Sequence, residues 1–247
     1  MNRTALLALD TSTEFCSVAL GVAYDDASAS AFAALHVRHE KTGSVSSARL
    51  LPAVAEVLAE AGLRLAECSA IAFGAGPGSF TGLRTATGAA QGLAFGGGLP
   101  VVPVNTLMAC AEAARDTDPD ADRVLVAMDA RMDEAYWALY EWSATAGEWT
   151  VLSAPALARP ETIAAPVQPF TLAGNAYGAF GERLHAAASA RVIDAQALPH
   201  AGPVATLGLR AWRRGEALAP ALAAPDYIRN KVAQTTAERE AARAEPT

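Results

Sequence analysis

The strongest constraint on how this chain folds is a pattern that it uses twice. Leu6-Leu-Ala-Leu-Asp10, followed by Ser17-Val-Ala-Leu20, returns as Leu125-Val-Ala-Met-Asp129, followed by Tyr136-Trp-Ala-Leu139. Each copy is an apolar strand closed by an aspartate, a short turn and a second strand. The two aspartates lie 119 residues apart. An apolar run that ends in polar turn formers and resumes as a β-rich run is a hairpin signal. Two such hairpins, each followed by helical segments, predict an α/β chain made of two copies of one unit, the second reduced. The alternative is that any two hairpins of an α/β protein look alike.

The elements around the first copy follow from periodicity and punctuation. Strands are predicted over 5–9, 15–22 and 29–37, then a helix over 46–61 with Leu50, Leu51, Val54, Val57 and Leu58 at helical spacing and Gly62 as its C-cap. A buried strand over 69–73 leads into the glycine-rich Gly74-Ala-Gly-Pro-Gly-Ser-Phe-Thr-Gly82. A second helix over 81–95 stops at Gly96-Gly-Gly98, a strand covers 100–104, and Asn105 is placed as the N-cap of a helix through Arg115. The polar, acidic stretch 116–122 marks a boundary, so lobes over 1–115 and 116–232 are expected, with a disordered tail over 233–247. In the second lobe, strands are predicted over 150–157 and 170–173, helices over 178–189 and 203–214, and an extended segment over 225–229.

Composition narrows the function classes. With 19 basic and 26 acidic residues the chain carries a net charge of −7, which disfavours nucleic-acid binding by this chain alone. Arg210, Arg213 and Arg214 form its densest basic cluster and read as a solvated face. No apolar run has the roughly 18–20 residues that a membrane span needs, and no secretory leader is evident. Cys16, Cys68 and Cys110 are few and widely spaced, as in reduced cytoplasmic proteins. His36 and His39 sit three apart in a strand, on opposite faces, and no helical H-x-x-x-H occurs, so no metal site and no cofactor are expected.

Two loops carry phosphate-binding features. The loop 74–82 sits between strand and helix, where backbone N–H groups can cradle an anion. It lacks the lysine of a P-loop and the third glycine of a dinucleotide fingerprint, so a tight packing turn explains it equally well. Asp10-Thr-Ser-Thr13 resembles the phosphate hairpin of actin-like ATPases, although Asp10 also suits a turn-capping role. Its counterpart, Asp129-Ala-Arg-Met-Asp133, has neither glycine nor hydroxyls. Asp10, Thr11, Ser12, Gly76, Gly78, Ser79 and Thr81 are therefore candidates for a vestigial phosphate site. The helix over 81–95 is unusual for its small residues, Thr85, Ala86, Gly88, Ala89, Ala90 and Gly92, beside Leu83, Leu93 and Phe95. Small residues permit close approach of a second backbone, either the chain's own sheet or a partner's helix.

Taken in order, these segments resemble the bacterial TsaB (YeaZ) family. The resemblance is carried by Leu9-Asp-Thr-Ser-Thr13, Cys16-Ser-Val-Ala-Leu20, Leu50-Leu-Pro52, Gly76-Pro-Gly-Ser-Phe-Thr-Gly-Leu-Arg84, Gln91-Gly-Leu-Ala94, Thr106-Leu-Met108, Asp129-Ala-Arg-Met132 and Tyr227-Ile-Arg229. It implies two ribonuclease-H-like lobes of the actin-like ATPase superfamily, the second smaller. It also implies a catalytically silent subunit that binds and activates a TsaD-type transferase, which forms threonylcarbamoyladenosine at position 37 of tRNAs reading codons that begin with A. The resemblance further implies that a TsaE-type ATPase joins at the junction, that a homodimer forms when the chain is alone, and that tRNA is met only through the complex. The implied interface is the first two helices, with Leu50, Leu51, Val54, Leu58, Leu83, Thr87, Ala90 and Gln91 as the expected contacts. The stretch 40–49 is longer and more serine-rich than the family pattern, which leaves the start of the first helix open. The alternative reading is a small actin-like ATPase or kinase with its own nucleotide site.

Overall fold

In a computed structural model, residues 3–24 and 32–229 are described. The first sheet is built from β1 (Arg3–Asp10), β2 (Phe15–Tyr24), β3 (Ala34–Lys41), β4 (Ala70–Gly76) and β5 (Val101–Asn105), in the order β3-β2-β1-β4-β5. The first three are antiparallel, and β4 and β5 run parallel to β1. The second sheet is built from β6 (Arg123–Asp129), β7 (Ala135–Ser143), β8 (Glu148–Ala158), β9 (Thr171–Ala173) and β10 (Val192–Asp194), in the order β10-β9-β6-β7-β8. Read from its other edge, it repeats the first: an antiparallel meander followed by two parallel strands. The two-copy pattern of the sequence is therefore a repeated topology, two ribonuclease-H-like lobes of the actin-like class.

The helices are α1 (Ser46–Ala61), α2 (Phe80–Gly97), α3 (Thr106–Thr117), α4 (Ala176–Phe180) and α5 (Ala201–Arg213). They make the fold layered. α1 and α2 lie side by side on the outer face of the first sheet, over Leu7, Leu9, Val18, Leu20, Ile71 and Phe73. α3 and α5 fill the space between the sheets, in one core that draws Leu6, Ala8 and Ala72 from the first and Val124, Val126 and Tyr140 from the second. β1 is covered on both faces, which is why Ala5 to Leu9 is a continuous apolar run with no alternation. α5, late in the chain, packs on β1, β2, β4 and β5, so the chain returns to its first sheet after building its second.

Most predicted elements appear within a few residues. α1 matches its predicted bounds, with Gly62 at φ 66° capping it in the left-handed region, and Asn105 caps α3 through its side chain to the N–H groups of Leu107 and Met108. A one-turn 3-10 helix, Gly43–Val45, resolves the start of α1. The third strand spans Ala34–Lys41 and runs four residues past its predicted end because its pairing with β2, from Phe15↔Lys41 to Val22↔Ala34, sets its register; positions 29–31 of the predicted span lie outside the described residues. The predicted helix over 178–189 does not form. α4 ends at Phe180, Gly181 takes φ 57°, and two 3-10 turns follow, Gly181–Arg183 and His185–Ser189. Alanine-rich and interrupted by Gly178 and Gly181, the segment lacks the apolar stripe that would hold a long helix on the sheet. The expected tail over 233–247 lies outside the described residues.

Candidate functional site

The two candidate phosphate loops occupy adjacent sheet ends, the turn after β1 and the turn after β4, and they are packed into one another. Thr11 Oγ1 donates to the Gly82 carbonyl at 2.6 Å, and the Ser79 N–H donates to the Ser12 carbonyl at 2.8 Å. A Cβ on Gly82 would run into the Thr11 carbonyl, and one on Gly78 would lie 2.7 Å from the Ser12 carbonyl. The glycines of 74–82 thus admit the other loop's backbone, and Asp10, Thr11 and Ser12 are all buried. Ser79 caps α2 by accepting from the Gly82 N–H, Gly76 lies against the backbone of Asp226, and Thr81 is exposed on the first turn of α2.

Asp10 sits at the centre of this junction, 1% exposed. Its Oδ1 accepts from the N–H and hydroxyl of Ser12, at 3.1 and 2.9 Å, while Oδ2 has no hydrogen-bond partner. Oδ2 occupies the space that a side chain at Gly74 would take. Burial dominates over the two Ser12 bonds and pushes this carboxyl up from 3.8 to about 6. Across the strand pair, Ser17 Oγ accepts from the Ala201 N–H at the start of α5. His39 stacks on Phe15 and lies near His200, whose imidazole is held down to about 4 by burial and then by His39.

The second hairpin differs in chemistry. Arg131, Met132 and Asp133 all have positive φ, near 60°, and Arg131 folds back onto Asp129 at 2.9 Å. A strap over 223–229, which contains the segment 225–229 expected to be extended, joins this hairpin to the first lobe. Its Asp226 N–H donates to the Ala75 carbonyl, and its Arg229 donates to Glu134 and to the Arg131 carbonyl. Pro77, Phe80, Leu83, Tyr136, Tyr227 and Arg229 line a small cleft where loop, hairpin and strap meet.

The two helices distribute the expected contact residues between buried and exposed faces. Leu50 (1% exposed), Val54, Leu83, Thr87 and Ala90 all point into the chain's own core, Leu58 is half-buried, and Gln91 donates to the Pro220 carbonyl. The apolar stripe that marks each helix in sequence is the stripe that seats it on its own sheet. Of the eight residues expected at the interface, Leu51 alone is exposed, at 54%. The outward face of α2 instead carries Thr81, Arg84, Gly88, Gly92, Phe95 and Gly96. An added Cβ at Gly88, Gly92 or Gly96 meets nothing within 4 Å. The glycines at four-residue spacing leave a smooth strip of open backbone, flanked by Phe95 at 66% exposure. The sequence signal for this face was present, because glycine inside a helix is costly and unexplained by the core.

Comparison with known proteins places the chain among relatives. A family model described as TsaD, tRNA N6-adenosine threonylcarbamoyltransferase, matches residues 40–237. A protein of Escherichia coli K12 described as tRNA threonylcarbamoyladenosine biosynthesis protein TsaB is 36% identical over 233 residues, covering 92% of this chain and 96% of that one. A Haemophilus influenzae protein with the same description is 47% identical over 137 residues, covering 56% of this chain and 54% of that one. Among solved structures, YeaZ from Pseudomonas aeruginosa superposes with a TM-score of 0.80 at 39% identity, covering 91% of this chain and 99% of that one.

Proposed function

Because the chain belongs to the TsaB (YeaZ) family of tRNA threonylcarbamoyladenosine biosynthesis proteins, we propose that it is the catalytically silent subunit that docks onto a TsaD-type transferase and activates it. The observation that carries this reading is the outward face of α2, an exposed strip of Gly88, Gly92 and Gly96 bordered by Phe95, beside the exposed Leu51 of α1. A partner helix can approach such a strip to backbone contact, which is how two helix pairs form a four-helix junction. The same face pairs two copies of the chain when the partner is absent, and a TsaE-type ATPase joins at the junction.

The silence of the chain is supported by the mutual packing of its phosphate loops. Thr11 and Gly82, and Ser12 and Ser79, bond to each other across the space where a nucleotide phosphate would lie. The second hairpin brings Arg131 and Met132 where a phosphate clamp needs small hydroxyl residues. Two arginines of the basic cluster at the end of α5 are spent on carboxylates, Arg210 on Glu112 and Arg214 on Glu148 and Glu216, which suits a subunit that meets tRNA only through its partner. No helix among the described residues is long and apolar enough to cross a membrane. Because its relatives are bacterial proteins of tRNA modification, we place the complex in the cytoplasm.

The test is reconstitution. Threonylcarbamoyl transfer to tRNA is measured with the TsaD-type partner alone, with this chain alone, and with both, in the presence of the TsaE-type ATPase. Transfer that requires both chains supports the reading. Equal transfer without this chain, or micromolar Mg-ATP binding by the isolated chain that vanishes in Asp10→Ala, overturns it in favour of a small ATPase or kinase.

A further inference from the structure

The outward strip of α2 contains one charged group, Arg84, one turn before Gly88. Its guanidinium lies over the Phe80 ring, 3.8 Å from the centroid, and 5.9 Å from the ring centroid of Tyr227. Its Nε donates to the Tyr227 hydroxyl at 2.9 Å, and the two rings lie 5.4 Å apart. Phe80 opens α2 and Tyr227 belongs to the strap, so two separate elements aim this side chain. Arg38, Arg49, Arg115, Arg123, Arg210 and Arg214 each hold a carboxylate. Arg84 has none within ion-pair distance among the described residues, and there its Nη1 and Nη2 make no hydrogen bond.

An arginine that is oriented but not neutralised has lost its conformational freedom in advance and still has its planar fork to offer. That fork matches a carboxylate with two parallel N–H···O bonds. Resting on the docking reading above, we propose that Arg84 is a specificity-determining residue of the junction, which receives a carboxylate side chain presented by the TsaD-type partner's helix. Protein rather than RNA is the occupant for two reasons. The cation stands singly among glycines, Thr81 and Phe95, whereas RNA backbones are held by several cations together. The chain as a whole carries −7, which repels phosphate. Glycines set how closely the helices approach, and Arg84 sets which helix, and in which register, is accepted.

The experiment measures the dissociation constant of the full-length chain for its purified TsaD-type partner at two salt concentrations. The variants are Arg84→Ala, Arg84→Lys, Arg84→Glu, Tyr227→Phe and Gly88→Leu, each first shown by circular dichroism to keep the parent's thermal midpoint or exceed it. Arg84→Ala is expected to weaken pairing about 30-fold or more and to flatten its salt dependence. Arg84→Glu weakens it further, Arg84→Lys recovers part of the loss, and Tyr227→Phe gives a smaller loss by releasing Nε. A change of less than about twofold in Arg84→Ala, while Gly88→Leu abolishes pairing, overturns the assignment of Arg84 and leaves the docking face standing. Normal pairing by Gly88→Leu overturns the docking face itself. Salt-sensitive tRNA binding by the isolated chain that disappears in Arg84→Ala assigns the residue to RNA and also overturns the proposal.

Discussion

Replacing Gly88 and Gly92 together by alanine should strengthen the fold and weaken the complex, and that opposition of sign makes the experiment decisive. Both residues lie in the interior of α2, which runs Phe80–Gly97, and both are exposed. A new Cβ at either meets nothing within 4 Å, and neither has a positive φ that a side chain would strain. The substitution therefore changes only helix propensity and the entropy of the unfolded chain, about 0.8–1 kcal/mol per site. The pair is expected to stabilise the isolated chain by about 1.5 kcal/mol, raising its thermal midpoint by roughly 3–6 °C for a chain of this size. At a helix–helix contact made through glycine backbone the same two methyl groups are overpacked, at about 1–3 kcal/mol each, enough to weaken pairing by about 30-fold or more. Thermal melts in dilute solution read the first effect, and titration calorimetry with the TsaD-type partner reads the second. Gly178→Ala in α4 is the control, since it is equally open and lies on the other sheet, so it should leave pairing unchanged. A lowered midpoint in the isolated chain, or an unchanged affinity for the partner, refutes the argument.

Two further outcomes follow from buried charge. Glu112 is buried between α3 and α5, where it accepts both terminal nitrogens of Arg210 at 2.8 Å and the Trp149 indole N–H at 2.6 Å. Glu112→Ala strands both and should cost about 3–5 kcal/mol by urea denaturation, whereas Glu112→Met with Arg210→Met should recover most of that loss. Asp10 has a carboxyl raised from 3.8 to about 6, so its ionised form is disfavoured in the fold. Its contribution is most favourable below about pH 4 and falls away as pH rises through 6, by up to about 3 kcal/mol. Asp10→Asn should accordingly flatten the pH dependence of the urea midpoint over that window and exceed the parent by most at pH 7 and above; an equal midpoint at pH 7 would refute the burial argument.

Legibility in the sequence varied with the range of the interaction. The α1 bounds, the Gly62 cap and the Asn105 cap were readable because caps and helical period act within a few residues. The repeat was readable because each copy carries its own strand, aspartate and turn. The helix expected over 178–189 failed because alanine periodicity says nothing about whether a sheet face stands ready to receive it. Which residues of the two helices face outward is not legible for a related reason. Leu50, Val54 and Leu83 are apolar and periodic, which is the signature of residues that a helix hides, and the isolated chain buries all three. Gly88 and Gly92 were visible as small residues, but nothing local says whether a small residue faces a sheet or open solvent.

Local chemistry sufficed for the two-copy α/β plan, the positions of the turns and the family to which the chain belongs, because strand alternation, glycine punctuation and motif spacing are written along the backbone itself. Tertiary packing alone decided which side of α2 is bare, that the two candidate phosphate loops close on each other, and that Tyr227 reaches across 143 positions to hold Arg84. These are contacts between segments distant in the chain. Whether a given side of a helix is covered, or a carboxylate left without a partner, depends on which surfaces meet in space, and that meeting is settled only when all the layers have packed.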